Sequence, residues 1–347
     1  GQASAVPNII VGGGSVSGAT SYNGIPFYSG SEGNSLYTHD VSATDNAAQY
    51  NAAYGFLAMD AITTGDANVA IGYKAGSAIA EGSANTAIGF EALQTENGHG
   101  NNVAIGYRAL RLQDGGADAY NTAVGFDAGT AVSTGAYNTM LGGLAMGLGT
   151  TTGDYNVAVG YKSGEDLTSG AGNTASGSFS LMNLLTGASN VAIGYGAMSN
   201  ADDAESKNVA VGYNALNEMN NSTDNYNTAV GYEAGKKVST GVQNTIVGAQ
   251  AGDALTTGSY NTVFGYEALT TEDSHNGNTA IGYQTLRVQD AGANAYNTAV
   301  GHQAGVAVTT GIQNTLIGGL AGDGLTLGEH NIALGYNSLS AANAGNK

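Results

Sequence analysis

A chain of 347 residues with 56 glycines, 2 prolines, no cysteine, no tryptophan and only 10% charged side chains is not composed like ordinary globular domains, which argues against a large irregular core. Nine Lys plus Arg against 27 Asp plus Glu give a formal charge of -18, which argues against binding nucleic-acid phosphates or an anionic membrane through a basic face. The missing cysteines remove disulfides, thiolate metal sites and thiol nucleophiles, and no apolar run approaches the roughly 18 residues that span a bilayer, so no membrane insertion is expected.

Residues 1–50 come first and stand apart. Both prolines, Pro7 and Pro26, and a Gly/Ser-rich run from Gly12 to Ser31 lie here, and Gly1 opens neither a basic region nor an apolar one. The segment reads as a cap or attachment element, since an open solenoid end exposes unpaired strand edges. Asn34 stands one unit length before Asn51, with Thr38 where later units carry glycine, so a degenerate first coil is expected to begin there.

From Asn51 a unit recurs, opened by Asn51, Asn68, Asn85, Asn102, Asn121, Asn138, Asn156, Asn173, Asn190, Asn208, Asn227, Asn244, Asn261, Asn278, Asn297, Asn314 and Asn331. Seventeen units of 17 to 19 residues cover 51–341, and 342–347 remain as a tail. A second, longer period lies above the first: Arg111-Leu112-Gln113-Asp114 matches Arg287-Val288-Gln289-Asp290, so multi-unit blocks have been duplicated. Units this short, rich in Gly, β-branched residues and turn formers, predict an all-β solenoid with two short strands and two turns per coil.

Within the unit, the fourth residue after each Asn is always Gly, as at Gly72, Gly89, Gly106, Gly194 and Gly282. That predicts a corner with positive φ, or a contact too close for a Cβ. The Asn column (Asn68, Asn85, Asn102, Asn190 and Asn278 among its members) is expected to hydrogen-bond up the stack and set the turn. The third residue after Asn is almost always large and apolar, as in Ile71, Val124 and Leu141, with Ser176 the polar exception, and is expected to fill the coil interior. The second is Ala in 13 units and Met140, Ile246, Val263 or Leu316 in the others, and is expected to pack on the opposite strand face against another chain. The fifth is Tyr or Phe in 12 units but shrinks to Gly143, Ala249 and Gly319 where the second grows to Met140, Ile246 and Leu316, which predicts one shared space.

Features with chemical promise are sparse. His99 and His275 occupy matching places beside Glu96 and Asp273, but no second His or clustered carboxylate recurs at ligand spacing, so no metal and no cofactor are expected. Adjacent acids such as Glu165-Asp166 and Asp202-Asp203 suit solvated turns rather than a raised-pKa acid in a cleft, and no enzymatic activity is expected.

Asn-Val-Ala-Ile-Gly at 68–72, 102–106 and 190–194, and Asn-Thr-Ala-Ile-Gly at 85–89 and 278–282, resemble the head repeat of trimeric autotransporter adhesins of the YadA type. The longer form, from Asn278 to Leu286, is also similar to repeats of phage tail fibres and large bacterial surface proteins. The resemblance covers about 290 residues and implies a left-handed parallel β-roll, a homotrimer, a virion or extracellular location, and attachment to surfaces.

The expected function is accordingly a receptor-binding fibre that meets a host-cell surface glycan or protein; the alternative is a passive shaft or filament subunit displaying another domain. Recognition is expected in the 19-residue units beginning at Asn102, Asn208 and Asn278, because their extra residues project from a uniform rod. Tyr120, Asp114, Asp118, Asn220, Asp224, Asp290 and Tyr296 are the candidate surface residues.

Overall fold

A computed structural model describes residues 35–38, 45–201, 203–221, 223–292 and 294–341, and the strand backbone at Ser21–Tyr22, Ile25–Pro26 and Tyr28–Ser29. Each of the 17 units contributes one three-residue strand, from Ala52–Tyr54 to Ile332–Leu334, and the described residues contain no helix. The strands of successive units pair in parallel, always in the same register: Ala70 beside Ala87, Ala87 beside Ala104, and so on up the chain. The protein is a β-solenoid. At about 4.8 Å per strand, seventeen coils make a ladder roughly 80 Å long.

The ladder extends below residue 51. Leu36–Tyr37 pairs in parallel with Ala52–Ala53, while Tyr28–Ser29 joins Leu36–Tyr37 antiparallel. Its register differs by one position from the sequence expectation: Ser35, not Asn34, lies opposite Asn51, and Ser35 Oγ accepts the Asn51 amide at 3.0 Å. Tyr37 therefore takes the slot that Ala fills in most higher coils, and it is wholly buried. A large ring closes the bottom of a core made mainly of methyl groups. The tail 342–347 lies outside the described residues.

Only one strand per unit forms, where two were expected. The second half of each coil still bonds to its neighbours, as in Gly76 N–H to Ala92 O at 2.9 Å and Ala78 N–H to Gln94 O at 3.1 Å. It is not extended, because the residues six and eight after each Asn have positive φ: Lys74 at 53°, Leu93 at 49°, Leu110 at 49°. Such values cost a non-glycine residue about 1 kcal/mol or more. They persist because the coils above and below fix the same backbone groups from both sides.

The interior is the reverse of the expected one. The second residue after Asn points inward and is buried in every unit, whereas the third faces out, with Ile71 and Ile193 each 41% exposed. The alternation of a strand explains this: buried Asn and the residue two beyond it share one face, so the residue between and the one after share the other. The expected exchange of volume between the second and fifth residues is thereby overturned, since these lie on opposite sides of the wall. The exchange runs inside the coil instead. Met140, Ile246 and Leu316 reach over Gly129, Gly235 and Gly305, eight after the Asn of the coil below; an added Cβ there would stand 3.2, 2.9 and 2.8 Å from them. Buried residues such as Ile79, Val132, Leu184 and Val238, eleven after the Asn, complete the core.

Candidate functional site

The corner glycines carry φ between 113° at Gly335 and 145° at Gly125. At Gly194, φ is 126° and a Cβ would lie 2.5 Å from the carbonyl oxygen of Gly212 in the next coil. Positive φ and close approach thus coincide, and the chain turns there without a side chain.

Beside the corner runs the Asn column, buried along its length. Each Asn Oδ1 accepts the backbone amide of the next Asn, as from Asn51 to Asn68 (2.8 Å), Asn68 to Asn85 (2.9 Å) and Asn173 to Asn190 (3.0 Å). In most units Nδ2 donates to a carbonyl in the loop that ends the same coil, such as Gly82 O from Asn68 or Gly258 O from Asn244. One amide side chain therefore ties the next coil to the closing loop of its own. This is a structural network whose side-chain groups are used almost throughout, the buried Nδ2 of Asn278 being without a hydrogen-bond partner.

Two aromatic columns line the outside. The fifth-position rings stack face to face in runs: Tyr73, Phe90, Tyr107 and Phe126 follow one another at 5.1 to 5.2 Å, and Tyr195, Tyr213 and Tyr232 at 5.4 and 5.3 Å. Gly143, Ala249 and Gly319 interrupt the column. Tyr120, Tyr137 and Tyr155, each just before an Asn, stack at 5.3 and 4.9 Å. Ring faces meet other rings, and edges and hydroxyls are what a partner would meet.

The extended loops are separated along the rod. Those following Asn102, Asn208 and Asn278 lie six and four coils apart, roughly 29 and 19 Å by strand spacing. Asp114, Asp118, Tyr120, Asn220, Asp224, Asp290 and Tyr296 are all exposed, but in three places rather than one. Several are already engaged. Asp118 accepts from Gly100 N–H (2.8 Å) and Asn101 Nδ2 (3.1 Å), and Asp224 holds Lys207 Nζ at 2.5 Å. That contact raises the pKa of Lys207 and lowers that of Asp224. Glu165 lies against Lys162 at 3.1 Å and is nearly buried, so it is not half of an exposed acid pair; Asp202 lies outside the described residues.

What the loops rest on was not expected. A buried glutamate stands in the coil before each: Glu96, Glu205 and Glu272, all 0% exposed. Glu205 accepts from Asn221 N–H (2.7 Å) and Asp203 N–H (3.2 Å). Glu96 Oε1 accepts from His99 N–H (3.0 Å) and faces His99 Nδ1 (3.1 Å), and Glu272 makes the same pair of contacts with His275. Burial pushes both Glu96 and Glu272 above the usual carboxylate range, with the adjacent histidine pulling the other way. Ligand-capable atoms of Glu96, His99 and Asp114 come within 4.8 Å of one another, as do those of Glu272, Asp273, His275 and Asp290. The signal for this was in the sequence: Glu96 and Glu272 occupy the eleventh position, where most other units place an aliphatic residue and the next units place Gln113 and Gln289.

The fold and its ladders define a β-solenoid repeat protein. No family model, no curated protein and no solved structure matches the chain.

Proposed function

We propose that this chain is an attachment fibre of a virion or cell surface: a left-handed β-roll that assembles as a homotrimer and meets a host-cell glycan or protein through its extended loops. The observation that carries the reading is the outward strand face. Ile71, Val124, Leu141, Ile193, Phe264, Ile281 and Ile317 are each 37–41% exposed, aligned in register along the ladder. An apolar stripe of that length, broken among the described strands by Ser176, marks a surface covered by protein. Self-association is the simplest cover for a face that repeats with the coil. The three copies would carry 3 × -18 = -54 formal charges, which suits a rod kept apart from its neighbours.

Attachment, rather than a passive shaft, is supported by the three loops that break the uniform outline at separated heights, an arrangement suited to several weak contacts made together. No catalytic role is assigned. The deciding experiment exchanges 111–120 and 217–226 for the shorter loops of neighbouring units and measures binding to host cells or a glycan panel. Loss of binding supports the fibre reading. Binding that survives both exchanges and removal of residues 1–50 makes the chain a shaft.

A further inference from the structure

We propose that the two duplicated blocks each bind a divalent cation of the zinc class, one at Glu96, His99 and Asp114 and the other at Glu272, Asp273, His275 and Asp290. The inference stands on geometry and does not depend on the attachment reading.

The glutamates are the starting point. Each sits with 0% exposure in a core column otherwise filled mainly by aliphatic side chains, where a carboxylate carries a desolvation cost unless something of opposite charge is beside it. In the first block Glu96 Oε2 is buried and has no hydrogen-bond partner. In the second, Gln289 Nε2 donates to Glu272 Oε2 at 3.1 Å, but the matching Gln113 Nε2 makes no such bond. The first carboxylate therefore keeps an unpartnered oxygen within a cluster of metal-binding atoms.

Those atoms are of a telling kind. An imidazole nitrogen with two or three carboxylates suits zinc and similar borderline ions better than calcium or magnesium, which prefer oxygen alone. Glu96 Oε1 and His99 Nδ1 stand 3.1 Å apart. Two ligands each about 2.0–2.2 Å from a tetrahedral ion would stand about 3.4 Å apart, so a widening of a few tenths of an ångström lets both atoms hold one ion. Asp114 and Asp290 reach in from the following coil, at the roots of the 111–120 and 287–296 loops. An ion held there would clamp two of the three extended loops to the core.

Glu96, His99 and Asp114 recur at one constant offset as Glu272, His275 and Asp290, so the two sites serve as controls for each other. The full chain, stripped with EDTA, is titrated with zinc chloride by calorimetry. Two zinc ions per chain are expected, one after either His99→Ala or His275→Ala, and none after both. Asp114→Asn, an exposed change that keeps the fold, should weaken the first site at least tenfold and leave the second untouched. Far-UV spectra and melting curves show that each variant is folded. Stoichiometry that is unchanged in the folded double histidine variant, or absence of zinc binding by the parent, would overturn the proposal. So would a chain that binds calcium chloride at these residues in preference to zinc.

Discussion

Gly194 shows how little freedom a single position has in this fold. Its φ of 126° is outside the range of a β-branched residue, and the Gly212 carbonyl leaves 2.5 Å for a Cβ. Gly194→Val should cost more than about 2 kcal/mol, from backbone strain of roughly 1–2 kcal/mol plus the displacement of the next coil. Urea unfolding checks it: a variant melting with its parent would mean that the corner can open. Asp253 offers a test with pH. Burial raises its carboxyl, opposed by Lys237. A carboxyl raised in the fold lends stability while protonated; that stability is complete below the ordinary aspartate value and is lost as pH rises through the folded value. Asp253→Asn should therefore melt above the parent at pH 7, with a flatter temperature–pH curve above about pH 4. A parent curve that climbs through that window, with the variant below it, contradicts the burial argument.

Loops are the elements in which buried polar groups decide the outcome. Glu205→Ala leaves the amides of Asn221 and Asp203 without their acceptor, and should cost about 2 kcal/mol. Faster hydrogen exchange confined to the 217–226 loop is the expected readout, and unchanged protection at Asn221 would show that the carboxylate is not its anchor. The repeat made the coil, its length and its corner glycines legible, because a Gly in all seventeen units has a backbone cause. The direction of the strand faces was misread, since Ala looks too small to be a core and Ile looks too large to be left outside. Parity decides instead of size: Ala70 and Ala87 share the inner face with the buried Asn before them, and Ile71, one residue on, faces out. The second strand was misread for a different reason. Positive φ at the sixth position falls on residues such as Lys74 and Glu91, whose identity carries no sign of it; the only mark is at the eighth, where glycines such as Gly76 and Gly129 alternate with Leu and Met. Glu96 and Glu272 beneath two of the loops are legible as polar breaks in the eleventh column once that column is known to be interior, whereas Glu205, fifteen after Asn190, has no such signal.

For the whole molecule, the outward apolar stripe makes the assembly testable apart from the fold. Ile193→Lys together with Ile281→Lys places two charges on the exposed face and leaves the buried Ala192 and Ala280 in position. Native mass spectrometry should give a trimer for the parent and a monomer for the variant, with the same far-UV spectrum. A parent that is a stable folded monomer would refute the assembly. The Asn column has a consequence in time as well as in space. Each Asn amide donates to the Asn of the preceding coil, and each strand pairs with the one made just before it. A coil therefore needs nothing for its lower side that the ribosome has not already delivered. Synthesis proceeds from the N-terminus at about 5–20 residues per second, so one coil's worth of chain emerges every one to three seconds or so. That is long compared with the microseconds in which short loops close. The order in which the residues are made can thus be the order in which the rod is laid down, with the buried Tyr37 as its first course.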